Sequence, residues 1–386
     1  MTANPFLGVV LHAIGGLASA SFYIPYKEVK KWAWETYWLV GGFFSWIIAP
    51  WCFAVIMVPN LLQVLTNAPP KALLWSYIFG VMWGLGGLTF GLTMRYLGIA
   101  LGMAIALGYC AVFGTLMPPI FSGEITKIAA SNSGLTVLVG VGVCLAGIMV
   151  SGMAGMSKER ELSDEQKKTA IKEFNFLKGL GVATFSGIMS ASMSYGFAAG
   201  KPIAQLAVQN GTPDLWQNIP VLVVVLAGGF TSNCIWCLLL QFKNRTFGDY
   251  VRKCAVPEES DNYRSSVEKR TGSNIGLAAV TELIGAQALN AVPLKLNYLL
   301  CAIAGVTWYL QFFFYGMGTT MMGKYDFSSW TLHMASIIIF STLWGVALKE
   351  WKGTSLRTHI FIGIGLAVLI ASTIVVGYGN YLGLAK

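Results

Sequence analysis

The chain has 386 residues, of which 55% are hydrophobic and only 11% charged, against about 25% charged in ordinary soluble proteins. A mean hydropathy of +0.63 makes it an integral membrane protein, and the net charge of +9 comes from basic residues scattered between apolar runs, so it marks no nucleic-acid surface. Seven cysteines, nearly all inside those runs, argue against a disulfide framework.

Runs of about 20 apolar residues predict ten membrane-spanning helices, at 5–27, 37–58, 73–95, 98–121, 135–155, 176–200, 218–241, 296–318, 328–348 and 359–380. The first has no basic leader and no small-residue cleavage site, and reads as a retained helix. Residues 275–293 are also apolar, but they carry Glu282, Gln287 and Asn290 and abut the next run, so they read as an interfacial or helix-extending segment. Twenty-one of the 26 Lys and Arg fall in odd-numbered connections, which places those in the cytoplasm and both termini on the non-cytoplasmic side. The polar stretches 156–175 and 242–274 read as solvated cytoplasmic loops.

The first of these loops divides the chain into two sets of five spans. An odd number per set means that the two enter the membrane in opposite directions. Local matches support an inverted repeat. Gly16 to Ser21 (GLASAS) aligns with Gly187 to Ser192 (GIMSAS), Gly41 to Ser45 with Gly228 to Ser232, and GVMWGLGGLTFG from Gly80 with GVTWYLQFFFYG from Gly305. The expected organisation is an all-α bundle: a first repeat at 1–155, a connection at 156–175, and a second repeat at 176–386 with an enlarged cytoplasmic loop at 242–295. In the last matched pair Trp83 stands opposite Trp308, while Gly86 and Gly87 stand opposite Gln311 and Phe312, bulk against room.

Trp308 to Gly316 reads WYLQFFFYG. As a helix it puts Trp308, Gln311, Phe312 and Tyr315 on one face. By helical rise, Trp83 and Trp308 lie about 15 Å from the outer ends of their helices, near the middle of a core about 30 Å thick, where repeat-built transporters bind substrate. Aromatic faces suit the C–H face of a sugar ring, and Gln311, Asn233, Tyr315, Tyr109 and Tyr23 can exchange hydrogen bonds with its hydroxyls. No Asp, Glu, Lys or Arg lies deep in any span, which favours a neutral solute over an anionic one.

The ionisable groups within spans are His12 and His333, about 9–10 Å from the outer surface, and either can carry a proton. Asp326, Trp330 and His333 occur at i, i+4 and i+7, which would put a carboxylate on the same helical face as the imidazole. Glu35 and Glu350 are the other acids at span ends, and Asp326 and Glu35 are further candidates for proton coupling.

The remaining motifs are weak. Cys234 and Cys237 sit alone in an apolar helix, and no phosphate-binding loop occurs, so neither a metal nor ATP drive is implied. His12, His333 and His359 are scattered with no acid cluster, which does not describe an enzyme.

SFYIPYKEVKKWAWET from Ser21, MWGLGG and GLTMRYLG from Met82, WYLQFFFYG from Trp308, KYDFSSWTLHM from Lys324 and LKEW from Leu348 resemble the L-rhamnose-proton symporter family, in the drug/metabolite transporter superfamily. The resemblance implies ten helices as two inverted five-helix repeats, with uptake of L-rhamnose or a related 6-deoxy sugar across a bacterial cytoplasmic membrane. The partners implied are the sugar, H⁺ as coupling ion and the bilayer, with no cofactor. The chain departs from the family pattern at Gly87, Leu88 and Phe90, where the enterobacterial pattern is more polar, and at Thr319, where it has His. A transporter of another neutral sugar or polyol, or a transporter-derived sensor, is the alternative reading.

Overall fold

In the computed structural model, which describes residues 2–97, 99–161, 175–251 and 292–384, no strand occurs among those residues and every long element is a helix. Backbone in hydrocarbon must bond within itself, and a helix does so segment by segment. The long helices are α1 (Pro5–Ser21), α2 (Trp34–Met57), α3 (Pro70–Leu97), α4 (Ile99–Phe121), α5 (Asn132–Glu161), α6 (Phe176–Ala199), α7 (Ile219–Asn244), α8 (Leu294–Met321), α9 (Ser329–Ala347) and α10 (Leu356–Leu384). The segment 275–291 and most of the polar loops at 156–175 and 242–274 lie outside the described residues.

Nine of the described helices, all but α6, are long and apolar enough to cross a membrane. The exception has 24 residues but is rich in hydroxyls, several of which are satisfied inside the bundle. Ser186 Oγ donates to the Gly86 carbonyl at 2.9 Å, Ser194 Oγ to the Gly114 carbonyl at 2.8 Å and Tyr195 OH to the Phe113 carbonyl at 2.9 Å. Hydroxyls bonded to neighbouring backbone do not bar a helix from lipid.

Within α2 the residues Phe44–Ile48 wind as a π turn, with Trp46 at its centre. Pro50 follows and has no N–H to give the Trp46 carbonyl, so the regular ladder is broken at that turn.

The helices pack across the two sets of five. α1 lies on α8 and α9, and α6 lies on α3 and α4; α2 lies on α8, and α7 on α3. α5 runs beside α4 and α10 beside α9, while α5 and α10 make the most extensive contact of all. Glycines permit the closest approaches. A methyl on Gly80 would overlap the Val225 carbonyl of α7, and one on Gly305 would overlap the Gly41 carbonyl of α2. Gly86 is likewise filled by α6 at Ser190, whereas a methyl on Gly87 meets no atom within 4 Å. The room expected at Gly86 is therefore taken by a neighbouring helix and is not space for a ligand. Gly80→Ala should cost about 1–3 kcal/mol by overpacking and lower the thermal midpoint of the purified protein. Gly87→Ala should be neutral or stabilising by up to about 1 kcal/mol, from helix propensity alone.

Contacts also sort the connections onto two ends of the bundle. At one end, Lys27 pairs with Glu350 at 3.5 Å, and the Glu161 carboxylate accepts the Ser355 N–H and the Thr358 hydroxyl, each at 2.7 Å. All of these belong to odd-numbered connections or the helix ends beside them. At the other end, Lys201 pairs with Asp326 at 2.7 Å, joining two even-numbered connections. Short helices at Leu61–Asn67, Ile125–Ala129 and Lys201–Gln209 fill the even-numbered connections.

Candidate functional site

Three tryptophans from three helices meet at the centre. The Trp83 and Trp308 rings are 5.4 Å apart, Trp46 stands edge-on to Trp308 at 5.5 Å, and Trp46 and Trp83 are 6.2 Å apart. Phe312, one turn along α8 from Trp308, closes the group at 5.2 Å from Trp308 and 5.8 Å from Trp83. These edge-to-face and tilted arrangements suit aromatic quadrupoles, each pair contributing about 0.5–1.5 kcal/mol beyond area burial. The helix period explains the column: Trp308, Phe312 and Tyr315 share a face of α8, and that face meets α2 and α3. Gln311 is buried on the same helix, where Gly15 of α1 passes close to its backbone carbonyl.

Trp46 was not among the residues singled out from the sequence. It lies about 18 Å along α2 at 1.5 Å per residue, so the depth argument applied to Trp83 and Trp308 would have found it. Its indole N–H is buried and has no hydrogen-bond partner among the described residues, which makes it a donor available to a solute. Asn233, by contrast, has a protein partner at each end of its amide: Trp38 Nε1 donates to its Oδ1 at 3.1 Å, and its Nδ2 donates to the Gly229 carbonyl at 2.9 Å. It holds Trp38 in place rather than facing an open site.

Two of the expected tyrosines fall elsewhere. Tyr109 packs on α6 at Gly187, and its ring neighbour is Phe113 at 6.1 Å. Tyr23 is exposed in the short helix Tyr23–Lys27 beside Phe22 and Tyr26, toward the odd-connection end. Between that cluster and the tryptophans lies a void of about 10 Å³, walled by Tyr26, Trp38, Trp46 and Trp308.

Toward the even-connection end the column continues through Tyr315. Its ring lies 5.2 Å from His333 and 5.5 Å from His12, with Trp330 at 5.6 Å and Phe197 at 5.0 Å. Both imidazoles are fully buried, and none of their four nitrogens has a hydrogen-bond partner among the described residues. His12 fits against Gly318 of α8, where a side chain would collide with it. The sequence could not bring these three rings together, because they sit on α1, α8 and α9.

The carboxylates are otherwise engaged. Asp326 does not extend the face of α9. Tyr325 leaves helical geometry (φ −107°, ψ 39°), so Gly323–Ser328 forms a separate 3₁₀ turn, and Asp326 pairs with Lys201. Glu35 is buried at the start of α2 and accepts from Asn244 Nδ2 and Thr246 Oγ1, each at 2.9 Å, tying α2 to the end of α7. Among the described residues no group of His, Cys, Asp or Glu is arranged to hold a metal ion.

An uncharged aromatic centre where helices of both sets converge, inside a bundle of membrane-spanning helices, describes a multi-pass membrane carrier of small solutes. The family model described as L-rhamnose-proton symport protein (RhaT) matches residues 1–248 and 272–382. The L-rhamnose-proton symporters of Shigella dysenteriae serotype 1 and of Escherichia coli strain SMS-3-5 are each 36% identical to the chain over 375 residues, covering 97% of it and 97% of their own length. The chain belongs to the L-rhamnose-proton symporter family, whose members are transporters and not enzymes.

Proposed function

We propose that the protein imports L-rhamnose, or a related 6-deoxy sugar, together with H⁺ across the bacterial cytoplasmic membrane by alternating access. The observation that carries this reading is the aromatic centre of Trp46, Trp83, Trp308 and Phe312, contributed by α2, α3 and α8 and free of charge. Such a centre offers flat apolar faces to a deoxy sugar, while the Trp46 N–H and the Gln311 amide supply polar contacts.

The architecture proposed with it is ten membrane helices in two inverted five-helix repeats, as in the drug/metabolite transporter superfamily. The packing supports this reading: exchanging each helix with its counterpart five places on turns α1 on α8 into α6 on α3, and α2 on α8 into α7 on α3. On this reading α6 is the tenth span. The odd-numbered connections are cytoplasmic and both termini lie outside.

For the proton, His333 and His12 are the proposed carriers, since Asp326 and Glu35 already hold protein partners. Reconstituted protein should accumulate labelled L-rhamnose when the lumen is made alkaline, and equilibrate it without accumulation when no gradient is imposed. A panel of deoxy and ordinary sugars in the same assay tests the substrate. Accumulation that ignores the pH gradient would remove the coupling claim.

A further inference from the structure

The aromatic centre leaves a problem for entry. Its rings are in mutual contact, and the void that abuts Trp46 and Trp308 beside Tyr26 and Trp38 measures about 10 Å³, too small for a sugar. On the even-connection side, a cavity of about 190 Å³ opens at Tyr315. That is room for one monosaccharide.

The lining of this cavity has the same division of chemistry as a sugar. Gln205, Gln217, Asn218 and Thr320 bring amides and a hydroxyl; Phe197, Phe327 and Tyr315 bring ring surface. Asn218 is held in place, its Nδ2 donating to the Gly316 carbonyl of α8 at 2.9 Å. Lys201 and Asp326 form the rim, and their side chains are 61% and 31% exposed. An ion pair this exposed is weak and opens readily. Tyr315 is the shared wall, touching the cavity on one side and Phe312, His12 and His333 on the other.

We infer that this cavity is a second sugar site, an entry site occupied before the tryptophan centre opens. Gln205, Gln217 and Asn218 take the sugar's hydroxyls there, and the Tyr315 and Phe197 rings take its apolar edge. Tyr315 lines this cavity and packs on Phe312, which in turn packs on Trp83 and Trp308. The inference rests on the sugar-transport reading and on the even-numbered connections facing outside.

The test uses purified full-length protein, labelled L-rhamnose and two sets of variants. Trp308→Ala should retain a weak binding site, and adding Gln205→Ala with Gln217→Ala should abolish it. In otherwise unaltered protein, Gln205→Ala with Gln217→Ala should raise the KM for uptake about tenfold. Gln205 is exposed and Gln217 half-buried, and this arm does not depend on the Trp308 variant folding. Loss of all binding in Trp308→Ala with its circular dichroism intact, or an unchanged KM in the glutamine variant, would overturn the entry site while leaving L-rhamnose transport standing. If the unaltered protein bound no monosaccharide, both readings would fall.

Discussion

Trp308→Ala should reduce L-rhamnose uptake at subsaturating sugar by about ten- to a hundredfold, a loss of roughly 1.4–2.8 kcal/mol at 1.4 kcal/mol per decade. Trp308 touches all three other rings of the centre, so its removal takes away a stacking face and also the support that orients Trp46 and Trp83. Trp308 is half-buried, so its truncation costs less than the roughly 3–5 kcal/mol of a fully buried Trp, and the effect on transport must be separated from that loss of stability. Trp308→Phe keeps an aromatic face and should retain most uptake; Gln311→Ala removes a polar contact with little loss of packing and should weaken apparent affinity. Unchanged affinity in both Trp308→Ala and Gln311→Ala would remove the central site from the mechanism.

His333→Gln should abolish accumulation while sparing exchange. One pH unit corresponds to about 1.4 kcal/mol, so with one proton per sugar it supports at most about tenfold accumulation. In the variant the internal concentration should rise only to the external one, yet preloaded unlabelled sugar should still drive entry of label. Glutamine keeps hydrogen-bonding capacity beside Tyr315 and Phe312 but cannot carry a proton, so this pair of readouts separates coupling from structure. His12 also packs against Tyr315, and His12→Gln should produce the same split if the two imidazoles serve one proton. Intact accumulation in both single variants would move the assignment to Asp326, Glu35 or Glu350.

What could be read from the sequence is what depends on one helix at a time. The apolar runs located the long helices to within a few residues, because about 20 apolar residues in lipid leave the backbone little alternative to a helix. The depth of Trp83 and Trp308 followed from helical rise, and the two rings do meet. What depends on several helices was not legible. The approach of Tyr315 to His12 and His333 joins three helices, and the Lys201–Asp326 pair joins two connections far apart in the chain. Asp326 was misplaced for a local reason: its i, i+4, i+7 spacing with Trp330 and His333 assumes continuous winding, and Tyr325 breaks it. Tyr109 and Tyr23 carry suitable chemistry, but α4 and the end of α1 point them elsewhere. Trp46 has no aromatic counterpart in the second set, where the matched position is Asn233, so matched pairs do not point to it.

The π turn at Phe44–Ile48 carries a consequence for insertions and deletions in α2. A π turn is an α-helix with one residue too many, and removing one residue from it would let the turn rewind with α spacing, apart from the bond that Pro50 cannot donate. Each residue turns the helix by about 100° at 3.6 per turn, so everything before the turn would swing by that angle relative to everything after it. Trp38 would leave Asn233, and the Trp34–Trp38 stack would face a different neighbour. The extra residue thus acts as a phase shift that lets one helix satisfy two surfaces out of register with each other, and chains lacking it should need compensating changes on α7.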